Sequence, residues 1–315
     1  MRTIVNRSHD PFYNQAFEEF VFQAFPEDDL FFLWQNSPAV VVGCYQNICR
    51  EVSVPALQRM GIPVVRRSSG GGTVYHDLGN VNYTFLVRKD GPVDYDRCLL
   101  PMVEALNAIG VPARKNRVCD IAIGEQKISG SAQRVSGDRI LQHGTLLFQS
   151  DLTALDQITT HHKNDCIQSK GIDSAICPVT NIREHLARDI TLEEFQAQLL
   201  AQLVPGDAPP LTLTAAQETE VRRLRDEKYR SWPWTWGKTP AFHYEKEGLF
   251  AGMPIRVAYD AKKGILSGVT VDCAALDSAE AAGLLNGARL DPEGLGALCC
   301  MLAGDRAMEL LSNLL

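Results

Sequence analysis

The sequence contains no uninterrupted apolar run of the roughly 20 residues that a membrane-spanning helix needs. Its first residues lack the charged-then-apolar pattern of a signal peptide, so we expect a cytoplasmic protein without a membrane partner. Basic residues are also few, with 31 Lys and Arg against 38 Asp and Glu and a net charge of −7. Because nucleic-acid binding proteins neutralise many phosphates, this balance argues against a nucleic-acid partner and leaves room only for a local basic pocket.

The nine cysteines form no C-x-x-C pair, and two of them, Cys299 and Cys300, are adjacent, which is poor geometry for a mutual disulfide. We therefore expect reduced thiols in a cytosol-like compartment. His161 and His162 with Cys166 and Cys177 only loosely suggest a metal site, because their spacings match no zinc pattern. The sequence thus leaves any metal ligands unknown.

The length of 315 residues, 45% of them hydrophobic, suggests two domains of roughly 150 residues each. The proline-rich stretch 205–210 and the tryptophan-rich stretch 232–236 are typical of connectors. Strand patterns dominate the first part of the chain and helix patterns the later part. We place the boundary near residue 245, which gives domains 1–244 and 245–315.

Local patterns predict the main elements. Asp10 followed by Pro11 is a helix start, and the face predicted to be buried carries Tyr13, Phe17, Phe20 and Ala24. Residues 30–34 and 39–42 predict two buried strands around a turn, and the alternation over 81–87 predicts a half-buried strand. Further helices are predicted at 53–60, 99–106, after the capping boxes at Thr191 and Thr214, and near Asp277 and Asp291; further strands are predicted at 62–67, 120–128, 139–148, 255–259 and 264–271.

The most informative segment runs from Arg66 to Asn80 and has three consecutive glycines near its middle. Gly70, Gly71 and Gly72 allow positive φ and expose backbone N–H groups to an anion. Glycines alone are also typical of a flexible turn, but two arginines on one side and polar side chains on the other favour an anion site, with Arg66 and Arg67 able to grip phosphate. The rest of the segment includes Thr73, Val74, Tyr75, His76, Asp77 and Asn80.

Neither common phosphate-binding motif fits this segment. It lies between two predicted strands, and Tyr75 stands where a dinucleotide-binding fingerprint requires its third glycine. The later run Gly237, Lys238 and Thr239 imitates the end of a Walker motif, but Trp232 occupies the position of the required glycine.

Two more segments carry candidate chemistry. Lys127 precedes the small residues 129–132, which would let a substrate lie against the strand, and its ammonium could hold a carboxylate that attacks ATP. A single lysine on a hairpin is more often a solvated residue. His143 follows on the next predicted strand, where a packed histidine is the more common interpretation.

Taken together, the segment from Arg66 to Asn80, the run KISGSAQR beginning at Lys127 and the run beginning at His143 resemble lipoate–protein ligase A and the related lipoyltransferases. The resemblance continues through residues 170–172, 179–181 and 234–242, so it spans most of the chain. It implies an α+β fold, with a biotin/lipoate ligase-like catalytic domain of mixed sheets flanked by helices and a small α+β accessory domain at the carboxyl end.

The resemblance also implies a reaction. Lipoate and ATP, with Mg²⁺, would form lipoyl-AMP, and a lysine of an acceptor lipoyl domain would displace AMP. The acceptors would be lipoyl domains of 2-oxo-acid dehydrogenase acyltransferase subunits and the glycine-cleavage H protein. Apolar residues around Val42, Gly43 and Tyr45 would line a slot for the dithiolane tail, and Asp77 and Asp120 are candidate Mg²⁺ ligands. Lys127 would be catalytic, and the contacts to nucleotide or adenylate would come from Arg67, Gly70, Gly71, Gly72, Thr73, Val74, Tyr75, His76, Asn80, Asp120 and Lys127 itself.

Three alternatives stay open. A transferase that uses preformed lipoyl-AMP would carry nearly the same motifs. A cysteine-dependent octanoyl or lipoyl transferase would need an activated thiolate, for which Cys119 is the nearest candidate, yet the adjacent Asp120 would raise its pKa. A non-enzymatic lipoyl-domain or nucleotide-binding regulator is the third.

Overall fold

The computed structural model of the chain describes residues 1–159, 166–175, 177–206 and 208–315. Within these residues fourteen strands form three sheets. In chain order the strands are β1 (Arg2–Thr3), β2 (Leu30–Trp34), β3 (Ala39–Val42), β4 (Val64–Arg66), β5 (Val74–His76), β6 (Asn80–Arg88), β7 (Arg114–Lys115), β8 (Asp120–Ile123), β9 (Gln126–Ser136), β10 (Arg139–Leu147), β11 (Ile167–Ser169), β12 (Phe242–Phe250), β13 (Met253–Lys262) and β14 (Ile265–Asp272).

The same residues form eleven α-helices. These are α1 (Pro11–Ala24), α2 (Ile48–Glu51), α3 (Val54–Met60), α4 (Asp96–Ala108), α5 (Leu152–Ile158), α6 (Leu192–Leu203), α7 (Ala215–Leu224), α8 (Trp232–Thr235), α9 (Ser278–Leu285), α10 (Pro292–Ala303) and α11 (Ala307–Leu314). A π-helical turn at Arg225–Tyr229 continues α7. None of the helices in the described part of the chain is long and apolar enough to cross a membrane.

The largest sheet has seven strands in the order β1-β2-β6-β10-β9-β8-β7. One face packs against α4 and α6 through a cluster that includes Phe85 and Phe195, and the other packs against α1 through a cluster that includes Phe17 and Phe32. The central strand β6 is therefore buried on both faces, and the prediction of a half-buried strand at 81–87 is wrong. Its polar residues Asn82 and Thr84 are buried as well.

A small sheet, β4-β3-β5, carries the glycine-rich loop between β4 and β5. Strand β3 pairs in parallel with β4 and antiparallel with β5. Thus β2 and β3, which the sequence predicts around one turn, belong to different sheets. A third sheet, β11-β12-β13-β14, packs against α9, α10 and α11, and one hydrophobic cluster runs from Val40 in the small sheet to Leu315.

The ends of the helices follow the predicted signals. Asp10 caps α1 by accepting from the backbone N–H groups of Phe12 and Tyr13, and Ser53 caps α3. Both capping boxes form, at Thr191 with Glu194 and at Thr214 with Gln217. The hairpin of β13 and β14 and the helices after Asp277 and Asp291 are confirmed.

Two local predictions are wrong. The stretch 232–236, predicted as a connector, contains helix α8, with Pro233 in its first turn. The buried face of α1 includes Phe17 but not Ala24, which is exposed, and it carries two glutamates, Glu18 and Glu19. These carboxylates are buried because basic, hydroxyl or imidazole groups from other elements pair with them.

Candidate active site

The glycine-rich loop is folded tightly against the start of the loop after β3. A β-carbon on Gly43 would stand 2.2 Å from the carbonyl oxygen of Gly71, so only glycine permits this approach. Gly71 itself has a φ of 85°, in the region that favours glycine. The backbone N–H of Cys44 donates to the carbonyl of Ser69 at 2.9 Å and closes the contact. The loop is therefore a fixed part of the site and not a flexible linker.

Arg67 holds this loop from inside. Its Nη2 donates to the carbonyl oxygens of Gly70 at 2.6 Å and Gly72 at 2.7 Å, while Nη1 donates to Val41. Burial lowers the pKa of Arg67 to about 10. Arg67 therefore shapes the loop. It also lines the smaller of two cavities described below, where it places a positive charge at the wall.

Arg66 has a different role from the predicted one. The side chain is fully buried, and its guanidinium donates to the carbonyl oxygens of Gly43, Gln46 and Thr235 and to the hydroxyl of Thr239. All three guanidinium nitrogens thus make hydrogen bonds that connect β4 with the loop after β3 and with the segment around α8. The prediction that Arg66 grips phosphate is wrong, because its side chain is committed to these protein oxygens.

The side chains of Lys127 and Asp120 meet on the hairpin of β8 and β9, where Asp120 is opposite Gly130 and Lys127 is opposite Ala122. The ammonium Nζ of Lys127 is 2.8 Å from Oδ1 of Asp120, whose side chain is 7% exposed. The ammonium lies over Gly130, where a β-carbon would be 2.7 Å from Nζ. The glycine among the small residues of β9 thus makes room for the side chain of Lys127. Asp120 fixes the direction of that ammonium.

Two cavities meet at Lys127. The larger has a volume of about 760 Å³ and the smaller about 310 Å³. The smaller cavity includes the apolar wall residues Trp34 and Val41, whereas the larger extends along α5. Residues lining both are Thr73, Val74, Lys127, Gly130, Thr145, Ser174 and Ala175. A group held by Lys127 can therefore reach into either space.

A chain of hydrogen bonds stiffens the wall of the smaller cavity. Oγ of Ser69 is 2.6 Å from Nε2 of His143, and Nδ1 of His143 is 2.8 Å from the Glu18 carboxylate. Thr84 donates to Glu18 at 2.7 Å and accepts from the indole N–H of Trp34 at 2.9 Å. These bonds hold Trp34, His143 and the glycine-rich loop in one arrangement. His143 is thus both a packed histidine and a cavity residue.

A segment around Ser174 covers the glycine-rich loop where the cavities meet. The Ser174 hydroxyl donates to Glu51 and accepts from the backbone N–H of Thr73 at 2.8 Å, and Gln46 donates to it at 3.0 Å. Burial raises the pKa of the Glu51 carboxyl. Beside it, Arg50 pairs with Asp173 at 2.9 Å. In this arrangement the N–H of Thr73 is engaged by Ser174.

The remaining predicted residues are distributed unevenly. Gly71, Gly72 and His76 line the smaller cavity, and Tyr75 lines the larger. Neither Gly70 nor Asn80 is among the described residues that line these two cavities. The Asn80 side chain is buried and donates to Asn82. Both carboxylate oxygens of Asp77 accept backbone N–H groups, from Gly79 and Asp151, so they are committed to the loops.

The slot predicted around Val42, Gly43 and Tyr45 coincides with the smaller cavity only at the neighbouring residue Val41. The described residues lining the smaller cavity include Val41 but none of these three. Val42 packs in the core, and Tyr45 is 63% exposed. Successive side chains of a strand point to opposite faces, so a shift of one residue from Val42 to Val41 changes the face.

The cysteine candidates do not form a reactive centre. Burial and the neighbouring Asp120 raise the pKa of Cys119, whose Sγ is 3.7 Å from Oδ1 of Asp120. His161 and His162 lie outside the described residues. Among those that are described, no group of three or more His, Cys, Asp or Glu side chains could hold a metal ion. Lys238, in the false Walker run, lies 4.2 Å from the ring of Trp234.

Several site residues escaped the sequence analysis, namely Gln15, Glu18, Trp34, Glu51 and Ser174. Gln15, Glu18 and Trp34 come from α1 and β2, far in sequence from the glycine-rich run, and tertiary packing brings them to the cavity. The sequence did contain one signal for Glu18. Two adjacent glutamates, Glu18 and Glu19, lie among the aromatic residues of a predicted helix, and a carboxylate beside core residues needs a partner from elsewhere in the fold.

The fold holds two joined cavities that share Lys127, and each offers space for a small molecule. The sequence profile of the lipoyl protein ligase A/B catalytic domain matches residues 10–204. The chain is 35% identical over 263 residues to lipoate–protein ligase 1 of Staphylococcus aureus, covering 82% of this chain and 80% of that protein. It is also 35% identical over 265 residues to lipoate–protein ligase LplJ of Bacillus subtilis, covering 81% of this chain and 79% of that protein. The chain belongs to the lipoyl protein ligase A/B catalytic domain family.

Solved structures agree on the fold. The structure of Plasmodium falciparum LipL1 in complex with lipoate superposes with a TM-score of 0.65 at 21% identity, over 99% of this chain and 98% of that chain. A structure of lipoate–protein ligase A bound with ATP has a TM-score of 0.62 at 24% identity, over 74% of this chain and 97% of that chain. The expected α+β fold of the biotin/lipoate ligase type is confirmed.

Proposed function

We propose that this protein is an ATP-dependent lipoate–protein ligase. It activates lipoate as lipoyl-AMP and transfers the lipoyl group to a lysine of an acceptor lipoyl domain. The observation that carries the proposal is the position of Lys127 at the junction of two cavities, a smaller one lined by Trp34, Val41 and the glycine-rich loop and a larger one that extends along α5. The names and the 35% identity of the Staphylococcus and Bacillus relatives support it.

In the first step a lipoate carboxylate oxygen attacks the α-phosphorus of ATP, and pyrophosphate leaves. Lys127 holds the carboxylate and stays with the carbonyl and phosphate oxygens as the mixed anhydride forms. Asp120 directs the ammonium, at 2.8 Å. Arg67, His76 and the backbone of Gly71, Gly72, Thr73, Val74 and Tyr75 complete the proposed binding site. Gly70 supports it through its hydrogen bond from Arg67, and Asn80 supports it through Asn82.

Mg²⁺ is proposed to enter with ATP, as part of the substrate, because the triphosphate charge needs neutralising. Asp77 is committed to backbone N–H groups. Asp120 lines the smaller cavity, so it is the better placed of the two candidate carboxylates.

In the second step the amine of an acceptor lysine attacks the lipoyl carbonyl, and AMP leaves with the bonding electrons. The proposed acceptors are lipoyl domains of 2-oxo-acid dehydrogenase acyltransferase subunits and the glycine-cleavage H protein. No covalent enzyme intermediate is needed, because AMP is already a good leaving group.

Residues 1–244 are proposed to carry this chemistry and residues 245–315 to form the accessory domain. In support, every described residue lining the two cavities lies between Gln15 and Val179. A cytoplasmic location is proposed because all nine cysteines are free thiols, which is typical of proteins in a reducing compartment.

The experiment incubates the protein with ATP, Mg²⁺, lipoate and an apo lipoyl domain and measures pyrophosphate and acceptor mass. A ligase yields both products. A transferase limited to the adenylate modifies the acceptor only when lipoyl-AMP is supplied, and a thioester enzyme needs an acyl-carrier donor. Binding without turnover would indicate a regulator.

The matched variant is Lys127→Ala, with the exposed Lys89→Ala as control. We expect Lys127→Ala to lower the rate of pyrophosphate release on the order of 10²-fold, because it removes a preorganised charge at the reacting atoms. Near-normal turnover would remove Lys127 from the mechanism.

A further inference from the structure

The inner part of the smaller cavity contains buried polar atoms that lack a protein partner. Oε1 of Gln15 and Nε2 of His76 make no hydrogen bond to any described residue, although the two residues are only 2% and 4% exposed. The amide Nδ2 of Asn82 is a third such atom. All three residues line the smaller cavity. Since buried polar groups are almost always hydrogen-bonded, their convergence indicates a ligand with polar or polarisable atoms at this place.

The proton of the His76 ring can be placed from its neighbours. Nδ2 of Asn14 donates to the carbonyl of Gln35 and to Oδ1 of Asn36, which fixes the orientation of the Asn36 amide. Asn36 therefore presents Nδ2 to Nδ1 of His76, at 2.9 Å. Because Nδ1 must accept this bond, the ring proton of neutral His76 is on Nε2. His76 thus keeps one buried N–H donor without a partner among the described residues, on a side chain that lines the smaller cavity.

The other cavity histidine offers no such donor. Nε2 of His143 is 2.6 Å from Ser69, and its Nδ1 is 2.8 Å from Glu18. Both ring nitrogens are therefore occupied. Gln15, by contrast, has a side-chain amide oxygen without a hydrogen bond to any described residue, so this oxygen is available to a ligand.

These groups lie where the far end of an acyl chain would lie. Lys127 is at the junction of the cavities, whereas Gln15 and His76 are among the described residues that line the smaller cavity alone. An acid whose carboxylate is held by Lys127 and whose chain enters the smaller cavity would bring its far end among the residues of that cavity, which include Gln15 and His76. This step rests on the proposed function.

We propose that His76 and Gln15 select acids that carry sulfur at the far end of the chain over unsubstituted acids of the same length. The N–H of His76 donates to a ring sulfur of lipoate, which is a weak acceptor. Octanoate ends in a methyl group, so it would leave this N–H buried and unpaired. The free-energy cost of an unpaired, buried N–H therefore falls on octanoate alone, and this difference in binding free energy selects lipoate.

The test compares lipoate and octanoate as substrates, with kcat/KM measured from pyrophosphate release. For the unaltered protein we expect a ratio of about tenfold in favour of lipoate. In His76→Phe, which keeps a ring but removes the donor, the ratio should fall towards one. His76→Gln should keep most of the ratio, because the amide nitrogen of glutamine can donate from about the same place as Nε2.

Gln15→Leu provides a second line of evidence that does not depend on the fold around His76. It leaves no described protein group without its partner, and we expect it to lower the ratio about threefold. Met301→Leu, at a side chain that is 71% exposed on α10, is the control and should change neither rate.

An unchanged ratio in both His76→Phe and Gln15→Leu would overturn the proposal, as would equal efficiency of the unaltered protein with the two acids. Failure of the unaltered protein to release pyrophosphate with either acid is a separate result, which would overturn the proposed ligase function. The ratio of kcat/KM for lipoate to that for octanoate also tests whether a water molecule, and not the substrate, pairs with these polar groups. A water molecule would bind them equally with either acid, so the ratio would not depend on His76 or Gln15.

Discussion

The ammonium of Lys127 occupies the space where Gly130 lacks a side chain, and a β-carbon there would stand 2.7 Å from Nζ and 2.9 Å from Cε. This contact explains why a glycine stands within the long strand β9, where glycine is intrinsically unfavourable. The lysine is therefore positioned from two sides, by the backbone of Gly130 below it and by the carboxylate of Asp120 beside it.

The first prediction concerns Gly130→Ala. The added methyl group must displace the end of the Lys127 side chain, and we expect pyrophosphate release to slow by about tenfold or more, since small displacements at a reacting centre are costly. Lipoyl transfer from supplied lipoyl-AMP should also slow. Gly283→Ala is the matched control, because no atom lies within 4 Å of its built β-carbon. Equal rates for the two variants would show that the position of Lys127 is not critical.

The second prediction concerns pH. Burial, with smaller contributions from Arg67 and His143, lowers the pKa of His76 to about 3. The unfolded chain, with a histidine pKa of about 6.5, binds this proton first as the pH falls. Folding stability from this residue is therefore fully present above about pH 6.5 and is lost progressively between about pH 6.5 and 3.

The measurement is the free energy of unfolding in urea at pH 7 and pH 5, for the unaltered protein and for His76→Gln. The difference between the two proteins should change by about 2 kcal/mol over this interval, because glutamine does not titrate. Parallel pH dependence of the two unfolding curves would contradict a neutral, buried His76.

The third prediction concerns Arg66, whose side chain ties β4 to the loop after β3 and to the carbonyl of Thr235. Arg66→Met would leave several buried carbonyl oxygens without their donor, and we expect a loss of about 3 kcal/mol or more in the free energy of unfolding. The control is Arg306→Met, which removes an exposed pair with Glu309 and should cost about 1 kcal/mol or less. Comparable losses in the two variants would contradict the structural role of Arg66.

Features that depend on neighbouring residues were predictable from the sequence. The caps at Asp10 and Thr191, the hairpin that carries Lys127 and the glycine-rich loop all follow from patterns a few residues long. For the same reason Asp120 and Lys127 were both recognised, since they share one hairpin. Their contact requires only the pairing of β8 with β9.

Features that depend on packing between distant elements were not predictable. The aromatic spacing of α1 correctly indicated Phe17, with Tyr13 and Phe20 packed against the same cluster, but it gave no sign that Glu18 is buried through His143, which lies 125 positions away. For a similar reason, whether Val41 or Val42 faces the cavity depends on how β3 sits between β4 and β5. Neither fact is encoded in a local pattern.

The role of Cys119 separates the ligase from a thioester enzyme, and it gives the last prediction. Its thiol is half-buried, and burial and the adjacent Asp120 both raise its pKa, although Lys127 acts in the opposite direction. A nucleophilic cysteine needs the thiolate form, which this environment disfavours.

We therefore expect Cys119→Ser to retain lipoyl transfer within about twofold, because serine keeps the size of the side chain and removes only the thiol. The assay is acceptor mass after incubation with ATP and lipoate, with the exposed Cys300→Ser as control. A loss of transfer on the order of 10²-fold in Cys119→Ser alone would favour a covalent acyl-enzyme, since a positioned nucleophile contributes at that scale.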